Sequence, residues 1–207
     1  MKVLLAIFLV VVLWVGVDLA IPSHTQLRQF DPKEVAHLET EMWRAYYEHR
    51  SLYLFRLLGT LLRDQFGLSI WKSELGAYYA AHAAVVFQRG HSRADYEFAL
   101  PDLRRYYAMI RRGSDIPFDA GRAADKELEW WIAHRDKRSD LPATLAALQG
   151  EMYRTSPEPF DEHAQARASA MIYRDEKGSS ITNEDWAQIE GWLDNSWTSL
   201  FQHVHSN

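Results

Sequence analysis

The sequence predicts an all-α protein, with one N-terminal transmembrane helix followed by a bundle or helical-hairpin stack of about seven helices. Apolar residues recur at helical spacing along most of the 207 residues. Capping residues precede these stretches, and glycines or prolines follow most of them. No stretch alternates apolar and polar residues with the period of two that a half-buried strand requires, and no hairpin signal is present.

The first element is a segment that is apolar on every face. Residues 3–17 form an unbroken apolar run, which Asp18 interrupts before Pro22 ends the segment. As a helix this segment is about 30 Å long, close to the thickness of the hydrocarbon core of a bilayer. We therefore expect residues 1–22 to form a membrane anchor that contacts lipid through residues 3–21.

A cleaved signal peptide is the alternative interpretation of the same segment. The best cleavage position follows Ala20, but it places Asp18 where a small neutral residue is preferred and Pro22 just beyond the cut. The anchor is therefore favoured. Lys2 precedes the segment and the next basic residue is Arg28, so the positive-inside rule predicts a single-pass protein of the cell membrane with a cytoplasmic N-terminus.

The remaining elements follow from their caps and stops. Residues 23–30 are polar and lack periodicity, which predicts a tether ahead of an extracytoplasmic helical domain over residues 31–207. Pro101 is expected to kink or split the helix that contains it. The predicted helices are Asp31 to about Leu62, Ser69 to about Gln88, Ser92 to Gly113, Asp119 to about Arg135, Asp140 to about Tyr153, about Phe160 to Arg174, and Thr182 to about His203.

Four aromatic doublets stand on these predicted helices. Neighbours on a helix point about 100° apart, so a doublet widens the apolar face and can touch two adjacent helices. We expect the doublets to pack in the core, and the alternative is an aromatic wall around a bound ligand. The doublets are Tyr46-Tyr47, Tyr78-Tyr79, Tyr106-Tyr107 and Trp130-Trp131.

Carboxylates and imidazoles accompany three of the doublets and are candidate metal ligands. Glu74 and His82 flank one doublet, Glu127 and His134 flank a second, and Glu41 precedes a third. Such groups on several helices ligate di-iron and di-manganese sites. The Glu and the His on one helix are two turns apart, however, which places them about 10 Å from each other along the helix axis. This distance is too large for both to bind a single ion. We therefore favour structural pairs between antiparallel helices, with His82 near Glu127 and His134 near Glu74.

Composition excludes several classes of function. The chain has no cysteine, which rules out disulfides, thiolate metal sites and cysteine nucleophiles. The net charge of -5, without a basic run, argues against nucleic acid as a partner. Glycine-rich phosphate loops and the common serine-hydrolase and zinc-protease motifs are absent. An enzyme is not indicated, and a binding protein is the better expectation.

Two further surfaces carry alternatives. The basic residues Arg104-Arg105 and Arg111-Arg112 share one predicted helix, where they form a solvated face or a contact for anionic lipid headgroups or an acidic partner. The last helix carries Trp186, Trp192 and Trp197 on an apolar stripe. Core packing is the expected role of this stripe, and a partner or membrane contact is the alternative.

These observations together predict a membrane-anchored extracytoplasmic protein that acts as an accessory, scaffold or interaction module of the cell envelope. Its expected partners are the membrane and another envelope protein, and no cofactor is expected. The alternative is a metal-dependent oxidase, with iron or manganese held by the Glu and His candidates on the same helices.

Overall fold

The computed structural model describes residues 1–206, which are largely helical and contain no strand, so the all-α prediction is confirmed. Short 3-10 segments cover Glu97–Ala99, Glu158–Phe160 and Gly178–Ser180, and a π-helical turn covers Leu61–Gln65. The α-helices are α1 (Lys2–Ala20), α2 (Pro32–Tyr47), α3 (Ser51–Thr60), α4 (Ile70–Arg89), α5 (Arg93–Tyr96), α6 (Leu100–Gly113), α7 (Ala120–Arg135), α8 (Leu141–Tyr153), α9 (Asp161–Lys177) and α10 (Asn183–His205).

Most of the predicted caps are present. Asp31 accepts hydrogen bonds from the first backbone amides of α2, Asp119 does so for α7, and Thr182 and Asp185 form a reciprocal capping box on α10. Pro101 stands in the first turn of α6, where its missing N–H costs nothing, so the predicted helix over residues 92–113 is split as expected.

One predicted helix is wrong in length. The stretch from Asp31 to about Leu62 forms two helices, because His49 adopts a left-handed conformation with φ of 57° between them. The backbone N–H of Arg50 then donates to the carbonyl oxygen of Ala45 at 2.8 Å, which closes α2 as in a Schellman motif. No glycine or proline marks this break, so the periodicity of the apolar residues did not reveal it.

Eight helices of the described chain form a closed ring. Each packs against the next, and the last returns to the first, so that helical hairpins follow one another around a centre. The ring closes where Ile189 and Leu193 of α10 pack with Ala36 of α2, and all three are fully buried. Trp186 is also buried in this contact, as expected of a core stripe. The order around the ring is α2, α3, α4, α6, α7, α8, α9, α10.

The segment predicted as a tether lies against the ring. The backbone N–H of Thr25 donates to the carbonyl oxygen of Gly113 at 3.0 Å. The backbone N–H of Gln26 donates to the carbonyl oxygen of Phe66, also at 3.0 Å. Leu27 and Phe30 are buried. Residues 23–30 therefore belong to the packed structure and hold the end of α1 in a fixed position.

α1 itself projects away from the ring. Its 19 residues are long and apolar enough to span a membrane, and none of them is buried. Only its last turns touch the domain, where Trp14 packs edge-on against Trp71 with 5.5 Å between ring centroids. The Asp18 carboxylate accepts hydrogen bonds from the Ser69 hydroxyl at 2.8 Å and from the Trp71 backbone N–H at 3.1 Å. Asp18 therefore caps α4 in place of Ser69, whose side chain makes no cap bond.

Candidate functional site

A cavity of about 340 Å³ occupies the centre of the ring, and every one of the eight ring helices contributes to its wall. Three of the four aromatic doublets meet there: Tyr46-Tyr47 from α2, Tyr106-Tyr107 from α6 and Trp130-Trp131 from α7. The fourth doublet, Tyr78-Tyr79, lies outside this cavity. The ring thus gathers side chains that are far apart in sequence into an aromatic wall, which the sequence offered as the alternative to core packing.

The two members of the Tyr106-Tyr107 doublet differ in burial. Tyr107 is buried and stacks edge-on with Tyr106, with 5.1 Å between centroids, while Tyr106 keeps part of its surface accessible. Burial raises the pKa of the Tyr106 hydroxyl well above its usual value, with the charge of Glu127 adding to the effect. Tyr106 is among the residues that line the cavity, so its accessible face looks into it.

A buried ion pair forms one polar point of the wall. Glu39 of α2 is 3% exposed, and one of its oxygens accepts a hydrogen bond from Nε of Arg167 of α9 at 2.9 Å. Its second oxygen accepts from Nε1 of Trp197 of α10 at 2.6 Å. The Arg167 guanidinium also lies 4.9 Å from the ring centroid of Trp130. This cluster joins four ring helices, and the charge of Glu39 is already compensated.

Glu127 forms a second polar point with a different character. Its oxygens accept hydrogen bonds from the Tyr107 hydroxyl at 2.7 Å and from Nε1 of Trp131 at 2.9 Å. Within residues 1–206, no Lys, Arg or His side chain forms an ion pair with this carboxylate, whereas Glu39 has Arg167. Each carboxylate oxygen keeps further acceptor capacity. Glu127 is therefore an acceptor on an aromatic wall, and its charge lacks a cationic partner from the described chain.

His134 is the third polar residue on the wall. Its Nε2 lies 3.0 Å from Oδ2 of Asp175 on α9, an ion-pair distance although the angles fall short of good hydrogen-bond geometry. Burial would raise the pKa of Asp175, but the contact with His134 and the charge of Arg174 outweigh it and lower that pKa. Asp175 also accepts a hydrogen bond from Tyr47 at 3.4 Å. His134 therefore binds Asp175, where the sequence predicted Glu74.

His82 also contacts a carboxylate other than the one that the sequence predicted. Its Nδ1 lies 2.6 Å from Oδ2 of Asp102 on α6, while Tyr78 stacks on the imidazole at 5.7 Å between centroids. Asp102 also pairs with Arg105 at 2.9 Å. Both histidines thus lie at ion-pair distance from a carboxylate on another helix, but Glu127 is not the partner of His82.

The five candidate metal ligands are not gathered at one point. Glu127 and His134 share the cavity wall, and His82 is bound at Asp102. Glu41 accepts a hydrogen bond from Tyr53 of α3 at 3.2 Å, and Glu74 lies against Gly59 of the same helix. Over the described residues, no group of three or more His, Asp or Glu side chains is placed to hold a metal ion. The di-metal site stays a prediction, which elemental analysis of protein from metal-replete medium would test.

Sequence reasoning missed the ion pair of the wall. Glu39 stands between Val35 and Met42 on the buried face of α2, and Arg167 stands between Ala164 and Met171 on that of α9. A charged residue within an apolar face is the signal that was available, because such a group must find a partner when the face is buried.

Comparison of the chain with protein-family models, with curated proteins and with solved structures found no match.

Proposed function

We propose that this chain is a membrane-tethered binding protein whose central cavity holds one predominantly apolar molecule. The observation that carries the proposal is the aromatic cavity of about 340 Å³, a volume within the range of small-molecule sites. Protein interiors pack as densely as organic crystals. An apolar ligand that fills the cavity gains packing contacts with its aromatic wall.

The polar points of the wall indicate what the ligand carries. Glu39 and Arg167 satisfy each other, so neither recruits a charged group. Glu127 can only accept when ionised, and it stands beside Trp131, Tyr106 and Tyr107. Aromatic faces next to a carboxylate favour a cationic or hydroxyl donor. The proposed ligand is therefore an apolar molecule with a protonated amine or a hydroxyl group at the end that reaches Glu127.

The membrane is part of the proposal. No residue of α1 is buried within the protein, and lipid is the environment in which such an apolar surface is stable. The extracytoplasmic position of the domain, and the accessory or scaffold role beside another envelope protein, belong to the same proposal as sequence-based expectations. A binding module at the membrane surface is well placed to take up an apolar molecule from the bilayer.

A fluorescent apolar amine tests the binding role. Full-length protein in lipid nanodiscs is titrated with N-phenyl-1-naphthylamine, a neutral N–H donor whose emission rises in apolar surroundings, and the signal of protein-free nanodiscs is subtracted because the dye also enters lipid. Ala84 of α4 faces the cavity, so Ala84→Trp should fill it and reduce binding at least about tenfold. Ala143 of α8 is exposed, so Ala143→Trp should bind as the wild type does.

Circular dichroism must first show that both variants are folded, so that a loss of binding is not a loss of the fold. Saturable binding that Ala84→Trp abolishes supports the cavity as the site. Binding that persists in Ala84→Trp, or an absence of saturable binding in the wild type, would refute the proposal.

A further inference from the structure

A second cavity, of about 320 Å³, lies where α1 joins the ring. Leu19 and Ser23 form one side of it, and α4 and α6 form the other. Its charged lining side chains are Lys72, Arg105 and Arg112, and no carboxylate lines it. We call this the basic cavity. Asp102 pairs with Arg105 and Asp18 lies near Lys72, so three cations face two carboxylates, and the remaining positive charge favours an anionic occupant.

Lys72 builds the floor of the basic cavity. The side chain is 5% exposed, and its ammonium group donates to the carbonyl oxygen of Asp18 at 2.6 Å, to that of Ile21, and to the Ser23 hydroxyl at 3.0 Å. Burial lowers the pKa of Lys72, and the nearby Arg112 charge acts in the same direction, while Asp18 opposes both. These bonds fix the last turn of α1 against α4, so the cavity has a rigid wall.

The two arginines keep donors for a ligand. Arg112 donates through one nitrogen to the carbonyl oxygen of Ala20 at 2.7 Å, and Arg105 donates through one nitrogen to Asp102 at 2.9 Å. A guanidinium carries five N–H donors, so both retain donors beyond these bonds. The Arg105 guanidinium also lies 5.9 Å from the Tyr79 ring, which orients it at the cavity.

The neighbouring arginines of the same helix form contacts outside the basic cavity. Arg104 pairs with Asp125 of α7 at 3.1 Å, and Arg111 donates to the carbonyl oxygen of Ser114 at 3.4 Å. Neither lines the basic cavity. Each of the two adjacent arginine pairs thus contributes one residue to the basic cavity, and these residues are Arg105 and Arg112.

The position of the basic cavity identifies the source of the anion. Leu19 lies in the last turn of α1, so a bilayer spanned by α1 places its headgroup layer at this level. The Trp14–Trp71 contact lies about one turn deeper, where tryptophan prefers the interface. We propose that the basic cavity binds the phosphate of an anionic phospholipid headgroup through Arg105 and Arg112. This inference rests on the membrane tether of the proposed function.

Lipid retention measured by native mass spectrometry tests the headgroup site. Full-length protein is released from nanodiscs of equal phosphatidylglycerol and phosphatidylcholine, and the bound lipids are counted. The wild type should retain phosphatidylglycerol over phosphatidylcholine. Arg105→Gln combined with Arg112→Gln should lower that retention at least about fivefold. Arg104→Gln combined with Arg111→Gln removes the same net charge and should retain lipid as the wild type does.

Further arms make each outcome decisive. Arg105→Gln alone leaves the Arg112 bond to α1 intact and should still lower retention severalfold, which separates headgroup binding from loosening of the joint. Equal loss in the control pair, or equal retention of the two lipids, would overturn the site. Inorganic phosphate that is retained in nanodiscs of phosphatidylcholine alone, and that phosphatidylglycerol does not displace, would overturn the lipid and show that a free anion is the occupant.

Different results would refute the proposed function and the headgroup site. Protein that does not enter nanodiscs refutes the tether and with it the headgroup site. Naphthylamine binding above that of protein-free nanodiscs reports on the central cavity, so its loss leaves the lipid result standing.

Discussion

His163 shows at the residue scale how burial sets a charge. The imidazole is fully buried between α9 and α10, with Nδ1 3.1 Å from the carbonyl oxygen of Ser196. Burial, and next the charge of Arg167, lower the pKa of His163 to about 3. An unfolded histidine titrates near 6.5, so between these values the unfolded chain binds a proton that the folded chain does not. Stability is therefore lost as the pH falls from about 6.5 towards 3.

His163→Gln should remove this pH dependence. The neutral amide cannot titrate, so its unfolding free energy should fall less steeply below pH 6.5, by up to about 1.4 kcal/mol per pH unit relative to wild type. At pH 7.5 the variant should be less stable by about 1–3 kcal/mol, because a buried polar group is replaced imperfectly. Urea unfolding at pH 5 and pH 7.5 measures both effects.

The control for this prediction is an exposed histidine. His24→Gln should keep the wild-type dependence on pH, since the side chain of His24 is exposed. Equal slopes for His163→Gln and wild type would contradict the assignment of His163 as a neutral buried group.

The partners of charged residues were the hardest feature to predict at this scale. Glu127 and His134 were singled out from their place beside an aromatic doublet, and both line the cavity. Their contacts with Tyr107 and Asp175 were not foreseen, because those residues lie on other helices whose facing depends on the closed ring. A sequence pattern on one helix fixes which face a residue occupies but not what stands opposite.

At the scale of elements, helix starts were predictable and some helix ends were not. Asp31, Asp119 and Thr182 act locally through their own side chains, so the sequence alone indicates them. His49 and Lys137, by contrast, end their helices in the left-handed conformation that glycine usually provides. The signal that marks most such ends was therefore missing.

Lys137→Gly should stabilise the fold. Lys137 has φ of 52° and an exposed side chain, so glycine removes the strain of the left-handed conformation without loss of packing. We expect the free energy of unfolding to rise by about 0.5–1 kcal/mol. The matched variant Lys126→Gly lies inside α7 and should lose about 1 kcal/mol, the usual cost of glycine within a helix. Chemical denaturation measures both, and a loss in Lys137→Gly as large as in Lys126→Gly would contradict the role of its backbone conformation.

At the scale of the whole molecule, the ring is the feature that local patterns could not supply. The apolar faces predicted that the helices would pack, and bundle and hairpin stack were both compatible with them. Closure depends on α10 meeting α2, a contact between the two ends of the domain. The central cavity is a consequence of closure, since it exists only where all eight helices surround one space.

The mass of the protein as isolated tests the central claim most directly. Full-length protein is isolated in nanodiscs without delipidating detergent and examined by native mass spectrometry. We expect one small apolar molecule per chain, bearing an amine or hydroxyl group, that is retained by Ala143→Trp and lost from folded Ala84→Trp. A wild-type chain with no such adduct, or an adduct that Ala84→Trp retains, would contradict a ligand in the central cavity.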